Sequence, residues 1–539
     1  MRTIVLTLGA RHSSGHGWQS LSLGSNLDQS VGLAIAAKLL NRNYEVVTCL
    51  SDGELQCGVD HQAKLAAAWH LNNLIVLLDN NGLQSNYEVQ RVDGTLEGGR
   101  AGPRLRALWE NYGWDYIEID GHRYAEIVEA FHFAQRSSRP VIIVAKTLKG
   151  KGVPRFEGKF GYDHLASDQE IAEAEAHLKS LVLNKRAAKR LEGPRLDMEP
   201  TQAVRSTVVL PNLDARDMSS ERMAVPLERW LSQFRDLNPG RVVLLNTDNP
   251  VPFDRSTPVY GFGVASRHLF AGINEKAAVG IGRGLANEGM LPIYLAPAVH
   301  LQACGEEFIH LGLDRQVLLV IGFYPGLDLS HWGLSHAGFR DIALFSAPGV
   351  SVFQAAGPQD VSAILDSIYM APDQWLPAYV RIPRRGRTDL LVRAGLDSLP
   401  PLKMGFYVVG SMQDVDCDAV LIASGRATSE CVEAADNLNK IGISTKVINV
   451  FNLREVDSTS FQRAVGKPRA LISCIEADPI VFQATLLRAM DPSRRALLLS
   501  LGLTGAPRGF DREGVLRQFH MHSDQLISAV IDRVNDAPK

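Results

Sequence analysis

The chain has 539 residues, of which 45% are hydrophobic and 21% charged, and its formal net charge is −3. This balance is typical of a soluble globular protein, and at roughly 150 residues per domain the length indicates three or four domains. The near-neutral charge argues against a surface that binds nucleic acid or an anionic membrane, and no apolar run reaches the length of a membrane span.

Six cysteines lie singly along the chain, with no CxxC pair and no Cys/His cluster. We therefore expect no zinc site. We expect the cysteines to be reduced thiols of a cytoplasmic protein. The apolar stretch over residues 1–8 is too short for a secretory signal. We expect an intracellular, cytoplasmic protein.

The first predicted domain, residues 1–195, alternates helical and strand patterns. Helices are predicted at residues 29–40 and 60–71, and strands at residues 45–50, 74–78 and 140–145. The last two strands are almost continuously apolar, and helical patterns separate the strands. This arrangement predicts a parallel sheet with both faces covered by helices.

Two further α/β units follow a proline-containing linker that extends to about residue 220. The second unit covers residues 221–390 and the third covers residues 405–539. Their predicted strands lie at residues 242–245, 317–321, 378–382 and 419–423, and a last helix lies at residues 523–534. The sequence thus predicts an α/β protein of three consecutive domains built on mainly parallel sheets.

Polar turns follow two strands of the first domain. Asp52-Gly53 comes after the strand at residues 45–50, and the turn Asp-Asn-Asn-Gly at residues 79–82 comes after the strand at residues 74–78. Open α/β sheets bind ligands at this edge, and a carboxylate, an amide oxygen and a carbonyl suit Mg²⁺. Either sequence alone can be a simple turn former. The occurrence of both after buried strands favours a site for phosphate and metal.

The stretch over residues 51–84 (SDGELQ … NNLIVLLDNNGLQ) resembles the thiamine-diphosphate motif of transketolases, which opens with Gly-Asp-Gly and closes on Asn. The resemblance implies thiamine diphosphate as cofactor, held through Mg²⁺ or an equivalent ion such as Ca²⁺ or Mn²⁺. It also implies that Asp52, Asn81 and the backbone carbonyl of Leu83 bind that ion.

The same resemblance implies further contacts with the cofactor, at Leu23, Gly53, Glu54 and His164. Leu23 belongs to the segment SLGSN, which resembles the family's Gly-Pro-Leu-Gly-Gln-Gly segment, whose leucine lies against the cofactor. His164 follows the segment AKTLKGKGV, which is similar to a stretch that precedes a cofactor-contacting histidine in the family.

A second cofactor region is expected where residues 271–276 (AGINEK) introduce an apolar helix. A glutamate at a helix start is by itself explained by the helix dipole. However, the segment resembles the family's Gly-Ile-Ala-Glu-Gln helix, which implies that Glu275 is catalytic and hydrogen-bonds a ring nitrogen of the aminopyrimidine. His300 is the ring that remains where the family has phenylalanines around the aminopyrimidine.

Two residues are implied on the substrate side. His336, in the segment LSH, resembles a substrate-contacting histidine of the family and is a catalytic candidate, although a lone histidine is as readily structural. Arg384 aligns with an arginine that holds a sugar phosphate, a role that suits the paired N–H donors of guanidinium.

The chain departs from the family pattern in several places. Cys57 replaces a glutamate of the dimer interface, and Trp332 replaces an acidic residue that reads a hydroxyl of the acceptor. The region ahead of the SLGSN segment is short, so that His12 and His16 are the candidates for the family's substrate histidines there. These changes leave the diphosphate end intact and alter the substrate end.

The resemblance implies transfer of a two-carbon ketol or related acyl unit from a ketose or keto-acid donor to an aldehyde acceptor. It also implies a homodimer with shared active sites, with no nucleic-acid or membrane partner. Two alternatives stay open. One is a relative that decarboxylates a keto acid in the manner of deoxyxylulose-phosphate synthase, and the other is a non-catalytic homologue or half of a hetero-complex.

Overall fold

The structure is a computed structural model. It describes residues 3–9, 18–20, 23–84, 87–89, 93–96, 100–159, 167–181, 207–213, 220–248, 263–333, 336–370, 375–410, 416–505, 507 and 511–536. The chain divides into two compact units, Met1–Val204 and Arg205–Lys539. Within the described ranges, every helix is too short or too polar to cross a lipid bilayer.

The described strands of the first unit form one parallel sheet in the order β2-β1-β3-β4-β6-β5. They are β1 (Thr3–Gly9), β2 (Trp18–Ser20), β3 (Tyr44–Ser51), β4 (Leu74–Asn80), β5 (Asp115–Asp120) and β6 (Val141–Lys146). The helices are α1 (Ser25–Leu39), α2 (Asp60–Ala68), α3 (Pro103–Asn111), α4 (Tyr124–Ala134) and α5 (Asp168–Leu181).

The core of this sheet follows the predicted apolar pattern. Strands β4 and β6 are buried along most of their length, and α1 is buried from Ser25 to Ala37. Helix α2 ends three residues earlier than predicted. His70 adopts a left-handed backbone with φ 52°, which turns the chain so that the amide of Leu71 bonds to the carbonyl of Ala66.

The second unit contains another parallel sheet, in the order β11-β12-β10-β9-β7-β8. Its strands are β7 (Val242–Asn246), β8 (His268–Phe270), β9 (Leu291–Pro297), β10 (Leu319–Phe323), β11 (Ser351–Gln354) and β12 (Ala378–Ile382). The helices are α6 (Ala224–Leu237), α7 (Glu275–Asn287), α8 (Gly305–Asp314), α9 (Asp341–Phe345), α10 (Pro358–Tyr369) and α11 (Leu390–Ala394).

A further sheet in the same unit has the order β13-β15-β14-β16-β17, and only β13 among these described strands runs antiparallel to its neighbour. Its strands are β13 (Phe406–Val409), β14 (Ala419–Ser424), β15 (Thr445–Val450), β16 (Ala470–Ile475) and β17 (Leu498–Leu501). The helices are α12 (Ala427–Lys440), α13 (Ser458–Val465), α14 (Ile480–Ala489), α15 (Arg512–Gln518) and α16 (Ser523–Asp536).

The two sheets of the second unit share one hydrophobic core, to which both Ile321 of β10 and Leu421 of β14 belong. The edge strand β11 is also bonded to the chain after β15, through the amide of Gln354 on the carbonyl of Phe451 at 2.9 Å. The predicted α/β class with three helix-covered sheets is therefore confirmed. The exact domain limits at residues 195, 221, 390 and 405 stay a prediction, because the shared core leaves no gap in the contacts between the last two sheets.

In addition to its apolar contacts, the second unit contains a network of buried charges. Arg283 on α7 is fully buried, and its guanidinium donates to Glu307 at 2.9 Å, Asp314 at 2.6 Å and Gln316 at 2.5 Å. Glu307 is also fully buried. Removal of one partner of such a pair leaves an uncompensated charge away from water.

We predict that Arg283→Ala lowers the thermal unfolding midpoint by about 10 °C, since breaking a buried pair costs about 3–5 kcal/mol. Differential scanning calorimetry measures this change. Arg517→Ala is the matched control, because Arg517 also pairs with two carboxylates but on the solvent-exposed surface. Equal midpoints for the two variants would contradict the structural role of the buried network.

Candidate active site

The turns after β3 and β4 lie side by side because the two strands are parallel neighbours, with Ser51 opposite Asp79. Asp52 begins a short 3₁₀ turn and is fully buried. Its Oδ2 accepts hydrogen bonds from the side-chain amide of Asn80 at 3.1 Å and from the amide of Gly82 at 2.6 Å. The two polar turns predicted from the sequence therefore meet at one edge of the sheet.

The second oxygen of Asp52, Oδ1, is buried and has no hydrogen-bond partner in the described part of the chain. Burial raises the pKa of Asp52 to about 6, an effect that the hydrogen bonds from Gly82 and Asn80 only partly offset. A buried carboxylate with one unused oxygen is costly unless a cation compensates it. The residues present thus fit the expected divalent cation.

The other two expected metal ligands, Asn81 and Leu83, belong to the turn that closes on Asp52. Asn81 lies between the two residues that donate to Asp52, and its Oδ1 accepts from the amide of Leu83 at 2.9 Å. The described residues contain no group of three His, Cys, Asp or Glu side chains that could hold a metal. A cation here would therefore depend on amide, carbonyl and phosphate oxygens beside the one carboxylate.

Glu54 connects the Asp52 turn to the segment that precedes α1. Its carboxylate accepts from the amide of Ser51 at 2.8 Å and from the amide of Gly24 at 3.2 Å. Gly24 has φ 80°, and a Cβ there would lie 3.0 Å from that of Cys57, so only glycine fits. The predicted cofactor residue Leu23 is thereby fixed beside the Asp52 turn with 65% of its surface exposed. Gly53 lies within that turn.

Sequence reasoning did not assign site roles to several residues around this turn. Arg100 donates to the carbonyls of Asn80 and Thr147, at 3.0 and 2.8 Å, and Lys149 donates to the carbonyl of Gln84 at 3.2 Å. These contacts join the chain after β6 to the turn after β4. In the sequence, the only local sign of these contacts was the pair of adjacent asparagines at positions 80 and 81. The predicted contact His164, and the candidates His12 and His16, lie outside the described residues.

The second predicted region lies in the second unit, where Glu275 opens α7. Asn274 caps the helix by accepting from the amide of Ala277 at 2.9 Å. The carboxylate of Glu275 acts electrostatically on two buried groups, Tyr294 and Cys304, and burial raises the pKa of both well above the usual range. No role was assigned to either neighbour from the sequence. Tyr294 lies on β9 and Cys304 lies in the turn after it, so both are distant from Glu275 in the sequence.

His300 and His336 lie next to each other, with ring centroids 5.7 Å apart in an edge-to-face arrangement. Burial lowers the pKa of His300, while Glu275 opposes the shift and His336 reinforces it. The other side of His336 meets Trp332, at 5.4 Å between ring centroids. The structure therefore brings together Glu275, His300 and His336, with Trp332 beside His336.

Arg384 follows β12 and lines a cavity of about 300 Å³. The cavity is rich in cationic and polar groups, and its lining includes Asp328, His331, Arg426 and Arg512. Guanidinium groups around a cavity of this size can hold a phosphate or a carboxylate of a small molecule. Of these lining residues, only Arg384 was predicted from the sequence.

Two family models match the chain. The model for "Transketolase, thiamine diphosphate binding domain" matches residues 10–179, and the model for "Transketolase, C-terminal domain" matches residues 411–486. Similar curated proteins include a transketolase-like protein 2 of Mus musculus, 24% identical over 95% of this chain and 80% of that protein. A 1-deoxy-D-xylulose-5-phosphate synthase of Symbiobacterium thermophilum is 23% identical over 84% of this chain and 68% of that protein.

Solved transketolase structures have the same fold. The enzyme of Campylobacter jejuni has a TM-score of 0.72 at 17% identity, over 95% of this chain and 82% of that one. A transketolase of Pichia stipitis in complex with sedoheptulose 7-phosphate has a TM-score of 0.72 at 15% identity, over 95% of this chain and 81% of that one. At these identities the likeness concerns the fold.

We predict opposite effects of Asp52→Asn on stability and on cofactor binding. Burial raises the folded-state pKa of Asp52 from 3.8 to about 6, so the folded protein favours the protonated form of this group. The stability that protonation contributes is therefore lost as the pH rises from 3.8 to about 6. At pH 7.5 the neutral variant should therefore be more stable by about 1–3 kcal/mol without cofactor. It should also lose the binding of thiamine diphosphate with Mg²⁺ if the carboxylate of Asp52 holds the cation.

Thermal unfolding with and without thiamine diphosphate and Mg²⁺, together with calorimetric titration, measures both effects. Asp120→Asn is the matched control, since Asp120 is an exposed carboxylate at the end of β5 in the same sheet. Retained cofactor binding in Asp52→Asn would refute the assignment of the cation to Asp52. Saturable binding by the unaltered protein would argue against a purely structural homologue.

Proposed function

We propose that this chain, which belongs to the transketolase family as a divergent member, transfers a two-carbon ketol or related acyl unit with the help of thiamine diphosphate. The donor would be a ketose or keto acid and the acceptor an aldehyde. The observation that carries the proposal is the buried Asp52 with its unused oxygen. The cluster of Glu275, His300 and His336 supports it.

At the diphosphate end, the chain's own groups would bind and orient. Asp52, Asn81 and the carbonyl of Leu83 would hold Mg²⁺, or Ca²⁺ or Mn²⁺, against the diphosphate. Leu23, fixed through Glu54, offers an apolar surface to a ring of the cofactor. Bound thiamine diphosphate supplies an electron sink for the cleavage of a carbon–carbon bond.

At the other end, Glu275 would hold a proton between its carboxyl group and a ring nitrogen of the aminopyrimidine. His300 is uncharged at neutral pH because burial lowers its pKa, so it can accept a proton or donate its N–H to a neighbouring hydroxyl. His336, whose ring centroid lies 5.7 Å from that of His300, would also contact the substrate. Both histidines therefore suit proton movement at hydroxyl and carbonyl oxygens.

Arg384 would bind an anionic group of the donor or acceptor, since its guanidinium lines the cavity beside the loop that carries His336. The exposed Trp332 stands next to His336, where the family pattern has an acidic residue. This ring favours a less polar substrate group at that position. We also propose that the protein is a cytoplasmic homodimer whose active sites are shared between subunits.

The experiment that tests the function is incubation of the protein with thiamine diphosphate, Mg²⁺ and panels of ketose phosphates, keto acids and aldehydes. Mass spectrometry should detect a product two carbons longer than its aldehyde acceptor. A keto-acid donor would lose its carboxyl group as carbon dioxide when its acyl unit is transferred. Carbon dioxide release without ketose consumption and without a lengthened aldehyde would instead indicate the decarboxylating alternative. Absence of any product with every donor would count against an active enzyme.

We predict that Glu275→Ala lowers kcat by about 10²–10⁴-fold, because the proton-holding carboxyl is lost. The dissociation constant of thiamine diphosphate should change little, since the diphosphate end lies in the first unit. Steady-state kinetics and calorimetry measure the two quantities. Glu288→Ala, at the other end of the same helix, serves as the control, and full activity of Glu275→Ala would overturn the mechanism.

A further inference from the structure

The described residues of the segment from Gly326 to Gly338, 326–333 and 336–338, are called the substrate loop below, and this loop is closed at its base. The two glycines exchange hydrogen bonds of 2.8 and 3.0 Å between their amides and carbonyls. Within the loop, the amides of Ser330 and Trp332 bond to carbonyls three residues earlier, at 3.1 and 3.0 Å. The loop carries both Trp332 and His336, so its position determines where these rings lie.

Asp328 lies at the centre of the contacts that hold this loop. Its side chain is 1% exposed, and both oxygens are used. One oxygen accepts from the amide of Arg384 at 2.6 Å, and the other accepts from the guanidinium of Arg426 at 2.6 Å. Arg384 follows β12 of the same sheet, whereas Arg426 lies between β14 and α12 of the C-terminal sheet.

A second contact holds the base of the loop against the C-terminal sheet. Gly326 has φ 65°, and a Cβ there would lie 2.5 Å from the carbonyl oxygen of Glu476, so the loop backbone packs directly on the chain after β16. Just beyond the loop, the amide of Asp478 donates to the carbonyl of Phe339 at 2.7 Å. The loop therefore contacts the C-terminal sheet at two places, at Gly326 in its base and through Asp328.

The Asp328–Arg426 pair differs from an ordinary surface ion pair. Arg426 keeps 26% of its side-chain surface exposed, but the carboxylate it meets is almost wholly removed from water. Burial raises the pKa of Asp328, and Arg426 opposes the rise. Without Arg426 the carboxylate would be buried with the single donor from Arg384, a state that favours opening of the loop to water.

We propose that Arg426 is a positioning residue, through which the C-terminal sheet holds the substrate loop so that His336, with Trp332 against it, lies next to His300. The role in catalysis rests on the function proposed above, whereas the clamp itself is a property of the fold. The proposal assigns to the C-terminal sheet a direct part in the substrate site. Arg426 would act through Asp328 and would not touch the cofactor.

Hydrogen–deuterium exchange of the whole protein tests the clamp without any turnover. In Arg426→Ala, amides of the substrate loop should exchange about tenfold faster, because the loop opens more often when the pair is lost. The peptides of α7 and of the Asp52 turn should exchange as before. Arg426→Lys should restore most of the protection, since lysine keeps the charge. Arg393→Ala is the matched control, an arginine with two carboxylate partners away from the loop.

Asp328→Asn provides a second variant, in case Arg426→Ala unfolds as a whole. It should loosen the same loop while circular dichroism stays that of the folded protein. Unchanged loop exchange in both folded variants, or faster exchange spread evenly over the chain, would overturn the proposal.

Kinetics then separate positioning from general damage. With a substrate pair identified in the panel, Arg426→Ala and Asp328→Asn should both lower kcat/KM about tenfold, mainly through KM, while the dissociation constant of thiamine diphosphate is unchanged. A fall in Arg426→Ala alone would instead indicate direct contact between Arg426 and the substrate, and would overturn the positioning role. Arg426→Lys should recover most of the loss. A loosened loop in a protein that turns over no substrate would support the clamp and count against the proposed function alone. Unaltered kcat/KM with a loosened loop would overturn the positioning role.

Discussion

Parallel strands deliver the chain after each strand to the same edge of a sheet, and the candidate site depends on this constraint. In the first unit the turns after β3 and β4 meet, and Asn80, the residue before Asn81, donates a hydrogen bond to Asp52. In the second unit the chain after β9, β10 and β12 carries His300, His336 and Arg384. In the C-terminal sheet, too, the residues that contact the substrate loop, Arg426 and Glu476, follow the strands β14 and β16. The residues of the candidate site therefore lie on short segments, and the hydrogen bonds between the strands determine the positions of these segments.

Two buried carboxylates show how differently the same group is used at these edges. Each carboxylate oxygen of Asp328 accepts a hydrogen bond from the chain, and these two bonds hold the substrate loop. Asp52 has donors on one oxygen only, and burial leaves its ionised form without a full set of partners. Asp328 therefore has a structural role, whereas the unused oxygen of Asp52, beside the oxygen-rich turn after β4, fits an external cation. This difference could not be seen from residue type, because both are single aspartates that follow apolar strands.

The sequence predicted those parts of the fold and site that depend on local pattern. Apolar runs located the strands, and the polar turns located Asp52 and Asn81, because both signals lie within a few residues. The Asp328–Arg426 pair joins residues 98 positions apart, and no local pattern links them. The contact of Glu54 with Gly24 was missed for the same reason, as was the position of Tyr294 and Cys304 beside Glu275. These contacts follow from tertiary packing, which a single sequence does not encode in its periodicity.

The two ends of the site tolerate change to different degrees for a physical reason. At the diphosphate end, Asp52 is bonded to the turn after a neighbouring strand, and Glu54 is bonded to two backbone amides, so substitution there disturbs the sheet edge itself. At the substrate end, Trp332 is more than half exposed on a loop whose closure uses glycine backbone and a distant ion pair. Its side chain can change without loss of any bond that closes the loop. Under the proposed function, the residues around Asp52 can therefore stay constant while the loop residues around His336 change.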